Sequence, residues 1–119
     1  TDTTKFIKWI KAQLDRGIGN VASAAEWLNY VGPAYYDELW TKRQIERGLG
    51  DVCRSAYFLF IRSRSGDNVD IITIDWLKKQ IELEIGSVVW VINELYVEGY
   101  VDAEWVKQQV TSSEVKAII

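Results

Sequence analysis

Four tryptophans head a pattern that the chain repeats along itself. Placed under one another, Trp9, Trp40 and Trp76 open the segments WIKAQLDRGIGNV, WTKRQIERGLGDV and WLKKQIELEIGSV, and Trp105 opens a fourth that starts WVKQQV and then departs. Tryptophan, lysine, glutamine, an aliphatic residue, a glycine, a capping residue and a valine recur in register in the three full copies. Successive tryptophans are 31, 36 and 29 residues apart. A period of this length is the signature of a helical-repeat architecture, in which one unit cannot bury its apolar face until a neighbour covers it.

Each position of the pattern has a physical reason. Asp37, Thr73 and Asp102 stand three residues before the later tryptophans, and their side-chain oxygens can take an orphan N–H of a first helical turn. Phe6, Trp9, Ile10 and Leu14 fall on one arc at about 100° per residue, as a half-buried helix requires. Lys11, Lys42, Lys78 and Lys107 fall on the opposite side, facing water. Gly19, Gly50 and Gly86 close the helix in the left-handed conformation that glycine tolerates. The next residue is Asn20, Asp51 or Ser87, each a preferred N-cap, so a second helix starts at once. That helix carries Val21, Ala25 and Leu28, then Val52, Ala56 and Leu59, then Val88, Ile92 and Leu95 on its inner face.

The expected fold is therefore all-α. It comprises three stacked αα hairpins of about 30 residues over residues 3–34, 35–68 and 71–100, closed by a helix at 102–119, in a single domain spanning 1–119. Seven helices are expected, near 4–17, 21–31, 37–48, 52–64, 73–84, 88–98 and 102–117. The segment Val69-Asp70-Ile71-Ile72-Thr73 reads as a connector. Trp9, Trp40, Trp76 and Trp105 are expected as core anchors. Gln13, Gln44, Gln80 and Gln109 fall inside the apolar arc, where a buried amide must be hydrogen-bonded, and are expected to hold backbone groups of adjacent loops.

Composition removes much chemistry. The chain has no histidine and one cysteine, Cys53. Histidine-based triads and metal sites are excluded, as are an intrachain disulfide and a zinc ribbon. No apolar run approaches the roughly 18 residues of a membrane span. No secretory leader pattern is read at the start, and Thr1 reads as the product of a clipped initiator, so the expected location is the cytoplasm or a virion. No phosphate-loop, dinucleotide or calcium-loop motif occurs, and the carboxylate pairs Glu82/Glu84 and Asp37/Glu38 read as solvated helix ends. No catalytic residue, cofactor, metal or small-molecule substrate is expected.

What remains is surface. Trp90 stands where the other copies have Ser23 and Arg54, and an exposed tryptophan between Val89 and Val91 reads as an interface anchor. Charge is uneven: residues 1–41 sum to −1, 42–64 to +4 and 65–119 to −6. Lys42, Arg43, Arg47, Arg54, Arg62 and Arg64 make the basic group. They read either as solvated helix faces or as a patch for an acidic partner, such as the acidic third copy of another molecule of this chain.

Three functional readings follow. The first is a non-enzymatic protein-interaction or structural protein, a small helical module of a larger or self-assembling complex such as a viral or phage particle. The second rests on Ile74-Asp75-Trp76-Leu77-Lys78-Lys79-Gln80-Ile81, the turn at Gly86, and Val88 to Leu95 followed by Glu98-Gly99-Tyr100. These residues, about a quarter of the chain, resemble the helix-turn-helix core of winged-helix DNA-binding regulators. The resemblance implies DNA binding through the second helix. Ser87-Val88-Val89-Trp90-Val91-Ile92-Asn93-Glu94 departs from that family, because no Lys or Arg occurs from Gln80 through Val106 to neutralise phosphate. The third reading follows from the W-x-x-x-Q spacing with its later glycine, which resembles helical repeats of some bacterial surface proteins and implies a surface-associated module.

Overall fold

The computed structural model describes residues 2–109. Seven α-helices are present among the described residues: α1 (Asp2–Asp15), α2 (Val21–Leu28), α3 (Glu38–Ile45), α4 (Val52–Ser63), α5 (Ile74–Glu82), α6 (Val88–Val97) and α7 (Ala103–Gln109). A 3-10 turn at Pro33–Tyr35 joins α2 to α3. No strand occurs among the described residues, and Val69–Thr73 is a turn that leads into α5. The fold is all-α. Several helices are shorter than their sequence patterns, because the last turn before each corner loosens into non-helical turns. Gln109 is the last described residue of α7, so the far half of the expected closing helix, 110–119, lies outside the described residues.

The corners form as their residues dictate. Asn20, Asp51 and Ser87 adopt closely similar backbone angles, φ −83, −80 and −80 with ψ 77, 80 and 66. The Asn20 side chain accepts from Ser23 N and that of Asp51 from Arg54 N. At the head of the other helices, Asp37, Thr73 and Asp102 accept from the backbone N–H of Trp40, Trp76 and Trp105, as the three-residue spacing requires. Each tryptophan that begins a copy, from Trp40 onward, is thereby fixed in the first turn of its helix.

Contacts between successive copies repeat. Asn20 Oδ1 also accepts from Asp51 N, and Asp51 Oδ1 from Ser87 N. Ala22 N donates to Leu49 O at 2.9 Å, and Cys53 N to Ile85 O at 3.0 Å. The capping side chain of one corner therefore lies directly on the glycine of the next. A β-carbon on Gly50 would fall 1.9 Å from Asn20 Oδ1, and one on Gly86 2.1 Å from Asp51 Oδ1. These glycines serve two ends: they take φ of +102° and +98°, and they leave room for the neighbouring cap. Ser87 differs from Asn20 and Asp51. Its hydroxyl donates to Asp51 Oδ2 at 2.7 Å and caps no N–H of its own helix.

α2 packs on α1, α3 and α4; α4 packs on α3, α5 and α6; α7 packs on α6. The larger core runs from α2 to α7, with Ala22 and Ile45 joining Phe60, Leu59, Ile72, Leu77, Ile81 and Leu95, and a smaller one lies between α1 and α2 around Ile7, Leu14 and Val21. The whole is elongated, 50 × 30 × 17 Å. A buried polar link ties α2 to α3: Asn29 Nδ2 donates to Thr41 Oγ1, and Asn29 Oδ1 accepts from Asp37 N, both at 3.0 Å. The sequence showed Asp37 as a cap but did not reveal its pairing with Asn29 or that of Asn29 with Thr41.

The row of lysines and the row of tryptophans meet. Lys11 lies over the Trp40 ring at 4.6 Å, Lys42 over Trp76 at 5.5 Å and Lys78 over Trp105 at 5.6 Å. The sequence placed these ammonium groups in water. Instead each lies across the copy boundary, on the π face of the next tryptophan. Lys11 adds an ion pair to Asp37 at 3.3 Å, and Lys42 one to Glu46 at 3.1 Å, while Trp76 Nε1 donates to the same Glu46 carboxylate.

Candidate functional site

The tryptophans divide by position along the chain. Trp76 and Trp105 are 8% exposed, and Trp40 is half-buried. Trp9 is 59% exposed, contrary to its expected core role. No lysine of an earlier copy lies over it, and its ring contact is a stack with Phe6 at 6.3 Å. Trp27, outside the repeat slot, is 55% exposed, and Trp90 is 42% exposed.

Trp90 heads an aromatic cluster built by α4 and α6. The Tyr57 ring meets it edge-on at 5.4 Å, Phe58 lies at 5.8 Å, and the Arg54 guanidinium lies 5.3 Å over its ring and 5.4 Å over Phe58. Trp90 and Arg54 occupy the same slot of successive copies, so α4–α6 packing brings them side by side. The Tyr57 hydroxyl donates to Glu98. Burial, reinforced by that carboxylate, raises the Tyr57 hydroxyl above its ordinary range, so it stays a neutral donor. A tryptophan braced on three sides with one face in solvent is a rigid, low-entropy contact surface.

The basic group does not form an open patch. Arg47 Nη1 donates at 2.6 Å to Leu14 O and to Gln44 Oε1, and its Nη2 reaches Asp15 O. It caps the end of α1. Arg62 lies 3.7 Å from the Tyr30 ring and 5.3 Å from Tyr36, and donates to Asn29 O. Arg64 folds back onto Phe60 and donates to Phe60 O, Ser63 Oγ and Ile72 O, tying the connector to α4. Burial lowers its basicity. Arg54 is committed to the two rings. Arg43 is exposed, and Lys42 is held by Glu46 and Trp76. The sequence could count these charges but not the carbonyls and rings that hold them.

The glutamines behave differently from expectation. Gln44 is buried and binds the Arg47 side chain, which reaches the backbone in its place. Gln13 is half-buried and accepts from Arg16 at 3.2 Å. Gln80 is buried with its Oε1 unpartnered by protein groups, because Leu83 stands where the other copies have Arg16 and Arg47. Gln109 is half-buried at the last described position. Cys53 is fully buried, its Sγ 4.0 Å from Gln80 O.

Glu26 was not singled out by pattern. It is 7% exposed, 4.0 Å from Arg62 Nε, and burial raises its pKa from 4.5 to about 7 against the opposing pull of Arg62.

No protein-family model, curated protein or solved structure matches this chain. Among the described residues no group of three potential metal-ligating side chains occurs, and no helix is long and apolar enough to cross a membrane.

Proposed function

We propose that the chain is a non-enzymatic protein-interaction or structural module, a helical-repeat unit of a larger assembly. The carrying observation is the Trp90 cluster. A large indole, 42% exposed, is braced by Tyr57, Phe58 and Arg54 instead of being turned into the core. Aromatic residues beside arginine are the side chains that dominate protein–protein binding energy. Winged-helix-like DNA binding draws less support. α6 carries no basic residue, and Arg47, Arg54, Arg62 and Arg64 are engaged with carbonyls and rings within the chain.

Affinity capture with the full chain, run beside Trp90→Ala, tests this reading. Trp90 is partly exposed, so the variant keeps the fold, checked by circular dichroism. A protein retained by the native chain and lost by the variant supports the proposal. Equal retention by both, or a low-salt mobility shift of duplex DNA with no protein retained, overturns it.

A further inference from the structure

The first copy presents an interface half whose counterpart in the second copy is filled. In the second copy, Trp40 lies under Lys11, Arg47 caps the carbonyls of Leu14 and Asp15, and Gly50 receives Asn20. Leu49 lies 3.4 Å from the β-carbon position of Gly17, and Arg62 bonds Asn29 O. All these partners belong to the first copy. The counterparts one copy earlier are Trp9, Arg16, Ile18, Gly19 and Val31. Trp9 and Ile18 are largely exposed, nothing lies within 4 Å of a β-carbon on Gly19, and Arg16 binds Gln13 of its own helix.

The opposite end carries the next lysine of the row that fills such a face. Lys11, Lys42 and Lys78 each lie over the tryptophan of the following copy. Lys107 is fourth in that row. It projects from α7, a helix seated like its predecessors by Trp105 and the Asp102 cap, and it is exposed. We infer that the face formed by Trp9, Arg16, Ile18 and Gly19 docks the α7 end of a second copy of this chain, with Lys107 of that copy over Trp9. The contact continues the lysine-over-tryptophan row already built three times within the chain. Because the two halves are different surfaces, the association is head-to-tail and extends beyond a dimer unless its rotation closes a ring. This inference rests on the protein-interaction reading and names the partner at a face remote in sequence from Trp90.

Sedimentation velocity of the full chain over a wide concentration range tests it. The mean mass is expected to rise with concentration past that of a dimer. Trp9→Ala is expected to weaken association roughly 30-fold or more, as loss of an interface anchor does. Lys107→Glu is expected to weaken it about tenfold, since it replaces a cation over the ring by an anion. Both residues are exposed, so thermal midpoints should match the native chain. At a concentration where neither variant assembles alone, an equal mixture is expected to form one-to-one pairs and stop, because only the Lys107 end of the first and the Trp9 face of the second remain intact. A native chain that stays monomeric overturns the inference, as do variants that assemble like the native chain or a mixture that fails to pair. A monomer that still captures a protein through Trp90 overturns only the head-to-tail contact and leaves the interaction reading standing.

Discussion

Glu84 stands in the slot that Gly17 and Gly48 fill, at φ 58° where they take 76°. A side chain in the left-handed region costs roughly 1–2 kcal/mol, so Glu84→Gly is expected to raise stability by about 0.5–1 kcal/mol after glycine's own entropy loss, read as a shift in the urea midpoint. The neighbouring Gly86 predicts the reverse. Gly86→Ala meets Asp51 Oδ1 at 2.1 Å in a left-handed backbone and should cost about 3 kcal/mol or more, while Gly19→Ala, with open space around it, should cost much less. Glu26 gives the pH dependence. Its folded pKa of about 7 lies above the ordinary 4.5, so the folded state binds its proton first. Its charge weighs against folding above pH 7, and this penalty fades as pH falls through about 7 toward 4.5. Glu26→Gln should therefore stabilise the chain at pH 8 by roughly 2–3 kcal/mol and by almost nothing at pH 4.5, seen as converging thermal midpoints.

The corner element carries the chain from one copy to the next. Asp51 caps α4 at Arg54 N and also holds Ser87 by both its amide and its hydroxyl. Asp51→Ala should thus cost about 2 kcal/mol, more than an isolated cap at the surface. Leu83→Arg tests the glutamine slot from the gain side. An arginine there can reach Gln80 Oε1 and the carbonyls at the end of α3, as Arg47 does one copy earlier, so stability should rise by about 1 kcal/mol. The helices were legible in the sequence, and so were the caps where glycine is followed by Asn or Asp, because that pair is a local signal; Ser87 instead spends its hydroxyl on Asp51. The second duty of each element was not. Asn20 reaching the next glycine, Lys11 crossing to Trp40 and Arg47 speaking for Gln44 depend on how elements approach in space, which spacing within one helix does not encode.

At the scale of the whole molecule, the same slot does different work at different positions. Trp76 and Trp105 are core because an earlier copy covers them, while Trp9 is surface because none does. The all-α class with seven helices was legible from periodicity. The exposed aromatic faces were legible in part: Trp90 stood out as a break in the pattern, whereas Trp9 was hidden by conforming to it. The basic group was misleading for the opposite reason, since formal charge counts arginines that packing has already used. The most direct measurement is fluorine NMR of the fluorotryptophan-labelled chain, reading the solvent isotope shift of each indole as concentration rises. In dilute solution Trp9, Trp27 and Trp90 should report exposure, and Trp76 and Trp105 should not. At high concentration Trp9 should become protected while Trp90 stays exposed. Equal exposure of Trp9 and Trp76 in dilute solution, or a Trp9 signal indifferent to concentration, would contradict the account.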